Sequence, residues 1–208
     1  MSLPVGYYIN LDNRPDRKQH FENQKLKFPI LQNIERFSAI EHKNGAIGCG
    51  KSHIQVLQMC QKFDKESFLI CEDDLLIFNS NNFEQFIKSL DDKQDWDLIT
   101  LTPRGDTLHN DELSNGFKRI INNQTTSAYV VKKCMIPILI KNLQEAIEGL
   151  EIDGKSDVFA IDQYWKRLQT KYKFYYFEKL FAGQLPGFSN VEYRNVDYNQ
   201  RFLLQNNY

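Results

Sequence analysis

The sequence predicts an α/β fold, a single domain with a mostly parallel central sheet. Three observations carry that reading. Short runs rich in β-branched and aromatic residues alternate with helix-patterned segments through the first hundred residues, the pattern of strands joined by crossover helices. Phe68-Leu69-Ile70-Cys71 is apolar at every position, as a strand covered on both faces must be. The chain of 208 residues, 41% of them hydrophobic, is long enough to bury one substantial core and need not divide further.

In chain order, Val5 to Leu11 reads as a first strand. Asp12-Asn13-Arg14-Pro15-Asp16-Arg17 follows as a helix start, since Pro in a first turn has a fixed φ and Asp or Asn ahead of it offers side-chain acceptors. Arg14 and Arg17 bring fixed charge to that junction, where a phosphate or nucleotide could sit; two solvated arginines are the plainer account. A second strand is expected near Arg36 to Ile40, then a helix over Ile47–Phe63 with Ile54, Leu57 and Cys60 at helical spacing. His53 near its start is either a ligand contact or a histidine bonded to a carbonyl.

Asn82 to Leu90 is a short amphipathic helix and Trp96 to Leu101 a strand. The polar, Gly- and Asp-containing stretch Thr102–Asn115 reads as a flexible connection. Strands over Phe117–Ile121 and into Val131, a helix over Lys132–Glu148 perturbed at Pro137, and a last strand at Lys173–Glu178 complete the pattern. Asp157 lies in the polar segment after the long helix, and Asp162 early in the next helical segment. A carboxylate at that position stabilises the helix dipole or serves as a base. Phe181 to Asn190 is a tail of irregular composition whose aromatics are expected to fold back over a site.

The most frustrated stretch is Glu72-Asp73-Asp74, inside the apolar run Phe68–Phe78. Buried unpaired carboxylates are strongly disfavoured, so these three belong where the strand ends. Carboxyl ends of strands in open α/β sheets face ligand clefts, and a two-residue period puts Glu72 and Asp74 on one side with Asp73 bracing the backbone on the other. Two hard oxygen donors suit Mg²⁺ or Mn²⁺ carrying a phosphate. An acidic turn is the alternative.

Gly45 to Ser52 satisfies the phosphate-loop pattern G-x-x-x-x-G-K-[ST], which opens a reading as an ATPase or kinase using Lys51 and Asp73. Connectivity argues against it: Glu41-His42-Lys43-Asn44 separates the preceding strand from Gly45, and a phosphate loop needs that strand to run straight into it.

The net charge of -1 gives no field to recruit nucleic acid, so none is expected as a partner. Apolar runs are too short for a transmembrane segment, the first residues lack signal-peptide order, and the four cysteines form no C-x-x-C pair. A soluble, cytoplasmic chain with free thiols is the expectation. Asn123-Gln124-Thr125 is a formal glycosylation acceptor only if the chain enters a secretory lumen.

Taken in order, several blocks resemble glycosyltransferase family 25, the group of lipooligosaccharide and collagen galactosyltransferases. They are Ile9 to Arg17, Gly45-x-Ile47-Gly48-Cys49-x-x-Ser52-His53, Glu72-Asp73-Asp74, Ser127-Ala128-Tyr129, Asp162, and Gln184 to Asn190. The second block accounts for the phosphate-loop match, because Gly50 and Lys51 fill its variable positions. The resemblance implies a GT-A fold, with a nucleotide-binding half at about residues 1–101 and an acceptor-side half at about 102–208. It implies inverting transfer of a hexose from UDP-galactose or a close analogue, with Mn²⁺ or Mg²⁺ held by Glu72 and Asp74. The acceptor would be a glycan or hydroxylysine of a collagen-like protein. It places the donor near Asn10, Leu11, Arg14, Arg17, Ser52, His53 and Asp73, and makes Asp162 the first candidate base and Asp157 the second. A catalytically silent sugar- or protein-binding domain of the same fold is a further alternative.

Overall fold

The computed structural model describes residues 3–113 and 115–198. The first strand, β1 (Gly6–Asn10), leads into α1 (Pro15–Lys27), a 3₁₀ turn and β2 (Ile34–Ser38). Next come α2 (Gly45–Cys60), β3 (Ser67–Glu72), β4 (Leu75–Ile77), α3 (Ser80–Ser89) and β5 (Leu98–Thr100). The second half has β6 (Asp106–Leu113), β7 (Phe117–Ile121), β8 (Ala128–Lys132) and the long α4 (Ile136–Asp153). Three single-turn helices follow, α5 (Ser156–Phe159), α6 (Ile161–Tyr164) and α7 (Lys166–Gln169). The chain closes with β9 (Phe174–Phe177), β10 (Ala182–Gln184), β11 (Gly187–Ser189) and β12 (Arg194–Val196).

Eight strands form one mixed sheet in the order β2-β1-β3-β8-β5-β9-β7-β6. β2, β1, β3, β5, β9 and β6 point one way, while β8 and β7 run against them. Most strands are therefore co-directional, as the alternating pattern predicts. The reversed β8 has a structural consequence: its amino end lies beside the carboxyl end of β3, which brings Thr126 and Ser127 to the same edge as Asn10 and Glu72.

Strand alternation sends side chains to two cores. Phe68 and Ile70 of β3, Tyr7 and Ile9 of β1, and Tyr129 and Val131 of β8 face the layer of α2, α4 and α6. Leu69, Cys71, Tyr8 and Val130 face the opposite layer, where α1 contributes Phe21 and α3 contributes Phe83, Phe86 and Ile87. The Tyr8 and Phe21 rings stack with centroids 4.0 Å apart. On the other side Gly50 brings α2 close to α4 and α6: a Cβ there would meet Ile161 Cγ2 at 3.0 Å and Ile147 Cγ1 at 3.1 Å. That close packing seats α6, and with it Asp162, against α2 and α4.

Several sequence expectations are corrected. Thr102–Asn115 is not simply a flexible connection, because β6 pairs antiparallel with β7 there. It is an edge strand, and its polar composition, which protects an exposed edge, hid it. Pro137 stands in the first turn of α4, where its missing N–H costs nothing, so the helix begins there instead of being perturbed. The run Phe68–Phe78 is two strands, β3 and β4, with a turn at Asp73-Asp74 between them. The tail is partly regular: β10 pairs with β4, and β11 with β12. Asn123 is fully buried and its side-chain amide donates to Thr125 O at 3.1 Å, so it is no glycan acceptor in this fold. No helix among the described residues is long and apolar enough to cross a membrane.

Candidate active site

A cleft of about 660 Å³ opens at the edge where β1 and β3 end. Its lining includes Leu11, Arg14 and Arg17 from the β1–α1 junction, Glu72, Asp73 and Asp74, and Thr126 and Ser127 ahead of β8. Arg104, Gln124, Asp162 and Phe188 line it as well. Thus Leu11, Arg14, Arg17, Ser52, Glu72, Asp73, Asp74 and Asp162, all singled out from sequence, share one cleft. Phe188 of the tail does fold back over it.

The three acids occupy different polar surroundings. Glu72 Oε1 accepts from Thr126 Oγ1 at 3.1 Å and lies 3.5 Å from His53 Nε2. Asp73 Oδ2 accepts from Asn10 Nδ2 at 2.7 Å. Asp74 Oδ1 accepts from Ser127 Oγ at 3.1 Å, and its Oδ2 accepts from Gln184 Nε2 at 3.3 Å with Arg17 Nη1 3.6 Å away. Strict alternation, which put Asp73 opposite its neighbours, fails because the strand ends at Glu72 and the backbone turns. All three acids line the cleft.

Crowding shows in their proton affinities. Burial pushes the Asp74 carboxyl up to about 7, and the charges of Glu72 and Asp73 add to that, while Arg17 and Gln184 oppose it. Asp73 is pushed up to about 6, chiefly by burial and less by Glu72, against the hydrogen bond from Asn10 and the nearby Arg17. Burial also works against the charge on Glu72, but His53 and Thr126 outweigh it and hold that carboxyl below its usual range. Negative charge is thus concentrated beyond what the neighbouring cations offset. The donors are hard oxygens that do not form a closed cage, and Mg²⁺ or Mn²⁺ characteristically uses one or two carboxylates and completes its shell with phosphate oxygens and water. The carboxylates of Glu72 and Asp74 are donors of the chemistry such an ion takes.

Asp162 also lines the cleft, and its Oδ2 lies 3.9 Å from Arg104 Nη2. Burial pushes Asp162 up to about 6, with Arg104 opposing and Glu72 adding to the rise. A carboxylate in that range is a competent base near neutral pH.

Other expected residues lie elsewhere. Asn10 is buried behind the lining and supports Asp73, its own Oδ1 accepting from Arg36 Nε at 2.8 Å. His53 is also buried behind the lining, its Nδ1 3.0 Å from Tyr129 Oη. Ser52 reaches the lining, but its hydroxyl donates to Gly48 O and accepts from Ile40 N, both at 2.8 Å, an internal role in joining α2 to the segment after β2. Asp157 is exposed on α5 and is not part of the cleft lining. Lys51 points to Glu151 on α4, its Nζ 3.0 Å from Oε1. Gly45 to Ser52 is helical throughout. The phosphate-loop reading fails on that geometry, because a helix spends its amides on its own carbonyls instead of cradling phosphate.

Thr126, Arg104 and Gln184 were not read as site residues. Gln184 stands in a block that drew notice, so a signal existed. Arg104 lies in a polar segment with no periodicity, and nothing in its surroundings marks it.

A family model described as glycosyltransferase family 25 (LPS biosynthesis protein) matches residues 43–165, more than half of the chain. A comparison with curated proteins finds no match. Among solved structures, a glycosyltransferase involved in the glycosylation of the major capsid of PBCV-1 superposes with a TM-score of 0.56 at 11% identity. That superposition covers 95% of this chain and 97% of the other. Protein A197 from STIV gives a TM-score of 0.47 at 11% identity, with 93% of each chain covered. At 11% identity the first of these superpositions shows the fold alone, an α/β fold of the GT-A type. The match over residues 43–165 takes in the α2 block, all three acids of the cleft and Asp162, and the chain belongs to glycosyltransferase family 25.

Proposed function

We propose that this glycosyltransferase moves a hexose, galactose from UDP-galactose, onto a hydroxyl of a glycan or of hydroxylysine in a collagen-like protein, with inversion at the anomeric carbon. The observation that carries the reading is that two kinds of group share one cleft. Arg14, Arg17 and the acids Glu72, Asp73 and Asp74 line it together with Asp162, which is paired with Arg104.

Mn²⁺ or Mg²⁺ held by Glu72 and Asp74 would supply Lewis-acid neutralisation of the diphosphate's charge. Arg14 and Arg17 present fixed positive charge at the start of α1, suited to the diphosphate. Asp73, oriented by Asn10, offers a carboxylate to the donor's polar groups. Asp162 removes the proton from the acceptor hydroxyl as its oxygen bonds to the anomeric carbon. The bond from that carbon to the diphosphate oxygen breaks on the opposite face, and UDP leaves with the bonding pair. Arg104 holds the Asp162 carboxylate ionised and aimed into the cleft.

The test is a screen of UDP-sugars with Mn²⁺ against a panel of glycan and hydroxylysine-peptide acceptors. Transfer from UDP-galactose supports the reading. Binding of UDP without turnover on any acceptor would favour a silent binding domain, and stabilisation by ATP with Mg²⁺ but not UDP with Mn²⁺ would favour a different nucleotide chemistry.

A further inference from the structure

Glu72 has neighbours that the proposed transfer does not use. On α2, Cys49 and His53 are four residues apart and share a helix face. That face meets the end of β3. The Cys49 thiol, a His53 ring nitrogen and a Glu72 carboxylate oxygen all lie within 4.8 Å of one another. His53 is fully buried, and its Nε2 makes no hydrogen bond. The other ring nitrogen, Nδ1, is 3.0 Å from the Tyr129 hydroxyl, and the two rings stack at 5.8 Å.

Without an ion, a proton on Nε2 suits the Glu72 carboxylate 3.5 Å away. With the proton on Nδ1 and donated to Tyr129, the Nε2 lone pair and that carboxylate oxygen are two acceptors that a cation between them would join. Fixing the tautomer of a ligating histidine through its second nitrogen is how outer-shell partners prepare it for a metal.

We propose that Cys49, His53 and Glu72 form a site for a thiophilic divalent cation of the Zn²⁺ type, on the inner wall of the cleft. Sulfur and imidazole donors select such an ion over Mg²⁺ or Mn²⁺. Three protein ligands with a fourth position open to the cleft is the arrangement of an accessible zinc site, completed by water. Donors in a tetrahedral zinc site are roughly 3–4 Å apart, so the three close inward by about an ångström, within reach of side-chain rotation. On binding, the thiol proton of Cys49 leaves to solvent and the sulfur becomes a thiolate, so the ligand charges balance the ion. A consequence that rests on the proposed function is that the inner site competes with the hard-cation site for Glu72, and Zn²⁺ then inhibits transfer supported by Mn²⁺.

The test uses chelator-treated full chain titrated with Co²⁺, which needs no sugar and no turnover. We expect a thiolate-to-cobalt charge-transfer band in the near ultraviolet, tetrahedral visible bands, and loss of both on adding Zn²⁺. Cys49→Ser abolishes the charge-transfer band, Cys134→Ser leaves it intact, and Tyr129→Phe, which removes the outer-shell partner of His53, weakens cobalt affinity by roughly 10–100-fold. Absence of the band in the unaltered chain overturns the site, whatever the transferase activity. Its persistence in Cys49→Ser, checked as folded by circular dichroism, overturns it equally.

Discussion

Asn10 Nδ2 donates to Asp73 Oδ2 at 2.7 Å, while Arg36 Nε donates to Asn10 Oδ1 at 2.8 Å. One buried amide therefore links an arginine on β2 to the acidic turn after β3. Removing it strands a donor and an acceptor where water is scarce. We expect Asn10→Ala to cost about 1–3 kcal/mol of stability. Thermal melting should fall by several degrees, and Arg36→Ala added to it should cost less than it does alone, because the two share one network.

The raised affinities of Asp73 and Asp74 for protons mean that the folded state disfavours their ionised forms. With folded values of about 6 and about 7 against an ordinary 3.8, their neutral forms favour folding at low pH, and that stabilisation is lost as pH rises through the folded values. Asp74→Asn should accordingly raise the melting temperature in metal-free buffer above pH 7, by roughly 2–6 °C. The gain should shrink as pH falls from 7 toward 4, where the native carboxyl is protonated. A gain independent of pH would contradict the crowding account.

Asp162 acts as a base only when ionised. Turnover should therefore rise with pH through about 6, the value to which burial pushes it. Asp162→Asn should slow transfer by roughly 10²–10⁴-fold with donor affinity largely kept. Near-normal turnover in that variant would move the base elsewhere.

The β11–β12 hairpin is fastened beside the cleft by Arg14, Arg17 and Tyr193, Arg17 Nη2 donating to Phe188 O at 3.4 Å. Arg14 Nη1 donates to Asn190 Oδ1 at 2.6 Å, and Tyr193 Oη donates to Lys43 O at 2.8 Å. Tyr193→Phe removes one of these bonds, typically about 0.5–1.5 kcal/mol. Steady-state kinetics should show KM for the donor rising by roughly 3–10-fold with kcat little changed.

Much of this site was legible because its residues are out of place by composition. Three acids in an apolar run have few tolerable positions, and a strand end at a cleft is one of them. Arg14 and Arg17 were legible as a strand-to-helix junction. Asp162 was not readable from pattern alone, since a carboxylate in a first helical turn is common; the family resemblance raised it. The reversal of β8, which delivers Thr126 and Ser127, depends on pairings between distant segments and leaves no local mark. β6 escaped notice because an exposed edge strand tolerates the polar residues that also make loops. The facing of Asp73 was misread because period-two alternation holds only while the strand continues, and it stops at Glu72. His53 and Ser52 sit beside the cleft with internal partners, because whether a side chain faces the cleft or the core behind it depends on helix rotation, set by the packing of α2.

The central claim is that the acidic turn, Arg14 and Arg17 hold a nucleotide diphosphate through a divalent ion. Calorimetric titration of UDP into the chain with and without Mn²⁺, repeated on Asp74→Ala, tests it most directly. The account predicts binding that requires Mn²⁺ in the unaltered chain and is abolished in the folded variant. Equal UDP affinity in the two proteins, or affinity indifferent to Mn²⁺, would contradict it.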